Sequence, residues 1–316
     1  MCIKERNASD STCKKLLRDK GCFADLCNYA FFQGRQVIQP EELVSRENDL
    51  STLIGKVDKP TEIKRYRDVV RKASIHGEYV IIGVEHQSTF DEKMIFRILN
   101  YDATIYINQV ESKQEVYPVG SVVFYTGDKE WKSPETLKET LKNIPPEMEP
   151  YINDWRLPVV ELKTMDARKL TNQRLKEVVE IRQSMFAGNY DDLRNNRKIE
   201  TENFMMAATF TRTKIKREDL PEGDEINMCE AMDRLFQRFE NQGIEKGETI
   251  GFEKGERSGI EKGKSDTLKD LLKVKLGTLS RPLEKQLTNT SLEKLNELTL
   301  NIFNVTNEED VLKIIN

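Results

Sequence analysis

Histidine is scarce, with two residues in 316, and the five cysteines (Cys2, Cys13, Cys22, Cys27 and Cys229) include no Cys-x-x-Cys pair. So few histidines argue against a zinc site, and an odd number of thiols argues against a disulfide framework. Reduced thiols are the expectation. No apolar stretch approaches the ~20 residues needed to cross a bilayer. The N-terminus is polar and charged where a secretory signal would be apolar. The chain is therefore expected in the cytoplasm, away from membranes. Neither charge is in excess: 50 Lys and Arg against 54 Asp and Glu leave −4. Nucleic acid would have to be met by a local basic patch, such as Lys64, Arg65, Arg67, Arg71 and Lys72, rather than by a global field. No helix-turn-helix, zinc finger or basic arm is legible.

What is present centres on residues 68–101. Val80 to Val84 is an unbroken apolar run, long enough for a strand and too short for a helix, so it predicts a buried central strand. Glu85, His86 and Gln87 follow at its carboxyl end. Side chains alternate across a strand, so Glu85 and Gln87 share one face and His86 takes the other. Upstream, Tyr66-Arg67-Asp68-Val69-Val70 predicts a second short strand with an acid near its start. Two carboxylates and an amide oxygen on paired strands form a donor set suited to a hard divalent cation.

Asp68 with Glu85-x-Gln87 resembles the metal-binding triad of the PD-(D/E)xK nucleases in an ExQ variant. The run GVEHQS, with Asp91, Met94, Arg97 and Tyr101 after it, is similar to the Rpn family of recombination-promoting nucleases, also called transposases. The stretch FADLCNYAFFQGRQVIQPEEL resembles that family's opening helix, and Tyr125-Thr126-Gly127 with Trp131 its following strand. The resemblance implies a restriction-endonuclease-like α/β fold, a mixed sheet flanked by helices. It also implies Mg²⁺-dependent hydrolysis of DNA in a bacterium, with Mn²⁺ or Ca²⁺ as alternative ions. Asp68, Glu85 and Gln87 would then be catalytic. Asp68, Glu85 and the backbone carbonyl of His86 would hold the metal, joined by Asp25 on the opening helix, with Asp19 behind it. Gln87 departs from the usual lysine: an amide positions water but carries no charge. Arg97 and Tyr101, four apart on one helix flank, are candidates for contacting substrate or orienting a carboxylate. The competing reading is a catalytically degenerate DNA-binding or assembly protein on the same fold.

Along the chain, residues 1–164 are expected to form the nuclease-like core, beginning with a polar segment (1–18) that is partly disordered. A helix is predicted over 23–31, stopped at Gly34. A second carries a capping box from Thr89 to Glu92 and an apolar stripe of Phe90, Met94, Ile95, Ile98 and Leu99. Strands are predicted near 117–127 and 156–162, the latter at an edge because of Pro158. Residues 165–242 predict a helical extension and 266–316 a small helical tail. Between them, glycine recurs every fourth residue from Gly243 to Gly263. Each glycine costs a helix ~1 kcal/mol against alanine, so this segment is either a linker or a helix whose glycine row is closely packed. The strict period favours the second, and self-association into a homo-oligomer through 243–263 is the expectation.

Overall fold

The structure, a computed structural model, describes residues 3–44, 68–113 and 115–315. Residues 45–67, with Lys64, Arg65, Tyr66 and Arg67 among them, lie outside these residues. The chain divides into two compact units, residues 1–235 and 236–316.

The first unit is built on a sheet in the order β1 (Leu43–Val44), β2 (Val69–Ile75), β3 (Glu78–Gln87), β4 (Val119–Tyr125) and β5 (Val159–Glu161). β1 and β2 run antiparallel to their neighbours up to β3, and β4 and β5 run parallel to it, so the sheet is mixed. β2 and β3 are joined by a two-residue turn, His76-Gly77, with both residues at positive φ (53° and 88°). That is the tight geometry that suits the twist of paired strands. Ile82 and Val84 of β3 pack with Val122 and Phe124 against helices α1 (Ile3–Arg18) and α2 (Lys20–Phe32). On the other face, Ile81 meets Ile105 of α3 (Met94–Glu111), and Val123 and Tyr125 meet Met94, Ile95 and Ile98 of the same helix. A five-stranded mixed sheet with helices on both faces, followed by a helical C-terminal region, is the restriction-endonuclease-like α/β arrangement that the sequence implies. β5 is an edge strand, as Pro158 suggests.

Several boundaries differ from expectation. Residues 3–18 are helical rather than disordered, because Cys13, Leu16 and Leu17 recur at helical spacing and are fully buried in the core. Arg71 closes that helix, its guanidinium donating to the carbonyls of Leu17 and Arg18 at 3.2 and 2.7 Å. Lys72 sits over the rings of Tyr79 and Tyr117, at 4.0 and 3.8 Å. Two members of the expected basic patch are thus occupied in holding the fold. α2 ends one residue earlier than Gly34: Gln33 takes the left-handed cap at φ 58°. α3 starts at Met94 with no side-chain cap, not at a Thr89–Glu92 box. Asp91 organises its entry instead, accepting from the amides of Lys93 and Met94 through side chain and backbone. The full capping box lies on the short helix α4 (Leu137–Thr140), between Thr136 and Glu139.

Beyond β5 come α5 (Gln173–Ala187), β6 (Lys198–Glu200), α6 (Thr201–Phe210) and β7 (Glu225–Asn227). β6 and β7 form a small antiparallel ribbon, absent from the sequence reading because three-residue strands leave no periodic pattern. Leu175, Val178 and Val179 of α5 and Met206 and Phe210 of α6 share the core of the sheet's α1–α2 face. Helix α7 (Met228–Leu276) contains every glycine of the four-residue repeat. In the second unit, its Leu268 and Leu272 pack with α8 (Arg281–Thr288), α9 (Leu292–Asn301) and α10 (Glu308–Ile315). Among the described residues no helix is long and apolar enough to cross a membrane.

A methyl group added at Gly247, Gly251 or Gly255 would meet no atom within 4 Å among the described residues. Replacing these three by alanine is expected to stabilise α7 by ~1 kcal/mol per site, seen as increased helicity and a higher thermal midpoint by circular dichroism. A lower midpoint would mean that another molecule fills the row.

Candidate active site at the end of strands β2 and β3

Register carries the two sequence-predicted acids to the same end of the β2–β3 ladder. β2 and β3 pair Val69 with Val84, so the next step of the ladder sets Asp68 across from Glu85. Asp68 lies just before β2, and its carboxylate takes over an acceptor role that a backbone carbonyl would otherwise fill. Oδ2 accepts from the amide of His86 at 2.9 Å. The N–H and C=O of one residue point to the same neighbour in an antiparallel ladder. The His86 carbonyl is therefore directed to the same side of β3 as Asp68. The other oxygen, Oδ1, is 3.0 Å from the ammonium of Lys14 on α1.

Glu85 and Gln87 share the α3 face of β3, and both are buried. Glu85 Oε1 accepts from Arg97 Nη2 at 3.0 Å and from the Gln87 amide at 3.4 Å. Arg97 is fixed in turn: Nη1 donates to Asp91 at 3.0 Å, and Nε to the Tyr101 hydroxyl at 3.3 Å. Burial works to lower the Arg97 pKa, but the bonds to Tyr101 and Asp91 and the charge of Glu85 outweigh it and hold the pKa above the usual value. Arg97 and Tyr101 thus orient the carboxylate, one of the two roles the sequence left open for Arg97. An open cavity of about 580 Å³ borders them, lined by Lys93, Phe96, Arg97, Asn100 and Tyr101.

His86 faces the opposite way, as alternation requires. Its Nδ1 lies 2.9 Å from Asp10 on α1, its Nε2 lies 2.8 Å from the Thr126 hydroxyl after β4, and its ring packs beside Phe210. An ionised carboxylate only accepts, so Nδ1 donates to Asp10. The imidazole ties α1 to the ends of β3 and β4. Near those ends, Asp128 pairs with Arg212 at 3.2 Å and with the fully buried Arg182 at 3.4 Å.

Asp25 does not join the site. Its carboxylate accepts from the amides of Thr171 and Asn172 (both 2.9 Å), from the Thr171 hydroxyl (3.2 Å) and from Gln36 (3.0 Å). A carboxylate so engaged secures the loop that opens α5 and is spent as a metal ligand. Asp19 is likewise committed, capping α2 at the Cys22 amide. The helical acid that does reach the strand end is Asp10, with Lys14 one turn later. Sequence reading missed both, and the signal that would have found them is the Cys13-Leu16-Leu17 spacing, which makes residues 3–18 a buried helix.

The donors that the sequence suggests for a metal, Asp68, Glu85 and the His86 carbonyl, are all oxygen. Among the described residues no three acidic, histidine or cysteine side chains converge to hold an ion.

Residues 61–211, just under half the chain, match the family described as Putative transposase, YhgA-like. This stretch belongs to that family, the Rpn/YhgA group of PD-(D/E)xK nucleases. The match makes this stretch transposase-like, which suggests an association with mobile elements. The matched stretch holds β2 to β5, α3 and both acids; α1 and α2 lie outside it, as does the glycine repeat. No curated protein and no solved structure matches the chain.

Asp25→Ala removes a buried carboxylate and strands four donors, so it is expected to cost about 3 kcal/mol or more. Urea unfolding measures this. A variant as stable as the wild type would show that the loop at 171–172 does not depend on it.

Proposed function

We propose that the protein is a metal-dependent DNA endonuclease, hydrolysing phosphodiester bonds in the context of recombination or mobile elements. The observation that supports the reading is the hydrogen bond of Asp68 to the His86 amide, one residue past Glu85 at the end of the β2–β3 ladder. The match of residues 61–211 to a transposase family supports DNA as the substrate.

A Mg²⁺ ion on Asp68, Glu85 and the His86 carbonyl would lower the pKa of a bound water and neutralise charge on the phosphate. The chain's own residues set the geometry around it. Arg97 and Tyr101 hold Glu85 in one orientation, so its free rotation is not lost on each encounter. Gln87, beside Glu85, has an amide that hydrogen-bonds a water and fixes its approach. Asp10, through His86, keeps the strand end against α1. The cavity beside Arg97 suits the nucleotide flanking the scissile phosphate. Phe96, 45 % exposed, offers a face for a base, and Lys93 is placed for a backbone phosphate. With a net charge of −4, such local contacts rather than the overall field would hold DNA.

Incubation with supercoiled plasmid and Mg²⁺ or Mn²⁺ is expected to give nicked and linear products. Asp68→Asn and Glu85→Gln are each expected to lower the rate by at least ~100-fold. Equal activity in all three proteins would point to a contaminating nuclease and remove the assignment of both acids. A folded wild type that binds DNA but cleaves none with either ion would favour a binding or assembly protein on the nuclease fold.

A further inference from the structure

The site's charges do not balance as a phosphate-cleaving centre requires. Asp68, Glu85 and Asp10 bring three negative charges to the end of β3, and Gln87 stands where the PD-(D/E)xK pattern has a lysine. Arg97 is near, but it is bonded to Glu85, Asp91 and Tyr101. Its planar fork is directed at carboxylates it already serves. Lys14 is different. Its ammonium has three donors, of which Asp68 takes one, and its side chain is 45 % exposed, so it sits at the open rim of the site.

We propose that Lys14 supplies the positive charge missing at position 87, its ammonium contacting a non-bridging oxygen of the scissile phosphate. This rests on the nuclease reading above and adds a catalytic residue to it from outside the stretch that matches the family. The helix is held so that the lysine cannot drift. Asp10, one turn earlier on the same flank, bonds His86, and Arg71 fastens the last carbonyls of α1. Cys13, next to Lys14, is fully buried and fixes the rotation of the helix. The neighbouring Lys15 is directed away, paired with Glu202. The contact of Lys14 with Asp68 has a second consequence. The ammonium lies on the carboxylate that a divalent ion would need, so lysine and ion would compete for Asp68.

The test uses the full-length protein, Lys14→Ala and Lys14→Arg, with circular dichroism to verify folding. Lys14→Ala is expected to cleave plasmid roughly 10- to 100-fold more slowly, and Lys14→Arg, which keeps the charge, to lose less. Propylammonium in solution is expected to restore part of the rate of Lys14→Ala in a saturable way, an effect that a purely structural lysine would not show. Without DNA, Lys14→Ala is expected to bind Mn²⁺ ~5-fold more tightly by calorimetry, the scale for removing one partly solvated charge. A wild-type rate in Lys14→Ala overturns the proposal, as does a slow variant with unchanged Mn²⁺ affinity and no response to the amine. If the wild type itself cleaves nothing while Lys14→Ala still gains Mn²⁺ affinity, the nuclease reading falls and takes the phosphate contact with it. Unchanged affinity there would remove the shared site as well.

Discussion

The bond from the His86 amide to the Asp68 carboxylate is the constraint on which the arrangement at the strand end depends. A carboxylate that accepts a ladder hydrogen bond is held near the plane of the sheet, level with the residue that follows Glu85. That single contact fastens an acid seventeen positions before Glu85 to the residue that follows it. It also leaves Asp68's second oxygen directed to solvent and to α1, where Lys14 meets it. Glu85 is fixed by a separate chain of contacts, through Arg97 to Asp91 and Tyr101 on the opposite face. The two carboxylates are thus positioned by different halves of the first unit, one by the edge of the sheet and the other by α3. Pre-organisation of this kind removes reorientation from the reaction coordinate.

The strand that carries the chemistry was legible because it is buried on both faces. Val80 to Val84 is apolar without interruption. Alternation then assigned Glu85 and His86 to opposite sides, and their partners, Arg97 and Asp10, sit on opposite sides of the sheet. What sequence missed falls into two kinds. Residues 3–18 look solvated because polar residues outnumber the apolar ones, yet three buried positions at helical spacing suffice to dock a helix when a sheet is already there. Asp25 was misassigned for the converse reason. It lies on a real helix at a plausible distance from the strand, but its partners, Thr171 and Asn172, are almost 150 residues away and no local pattern announces them. Local signals also misled at Thr89 and Glu92, where the box spacing is present but the chain enters α3 through Asp91.

The glycine repeat was open to two readings because helix propensity and periodicity point in opposite directions. Propensity alone disfavours a helix by ~1 kcal/mol at each glycine, yet α7 runs unbroken through all six. The residues between the glycines are mostly strong helix formers, Glu and Lys above all. Ile244, Phe252 and Ile260 recur at the eight-residue period, at least half exposed, along the same stretch. Advancing by four residues turns an ideal helix through slightly more than one turn, so the row drifts slowly around the axis.

The neutral residue at position 87 follows from what surrounds Glu85. A lysine there would share the α3 face of β3 with Arg97 and bring a second full charge to a buried carboxylate already paired with one. Two cations a few ångströms apart repel strongly where water is scarce, and one of them would have to lose charge or leave. The Gln87 amide avoids this, since it donates to Glu85 and adds no charge. Charge brought from α1 has no such conflict. Lys14 meets Asp68 at the exposed rim, where the solvent screens it from Arg97 and the ammonium keeps room to move. Once Arg97 is committed to orienting Glu85, the sheet face beneath α3 has no place for a lysine, and the nearest wall that can carry one is the helix that His86 already ties to the strand.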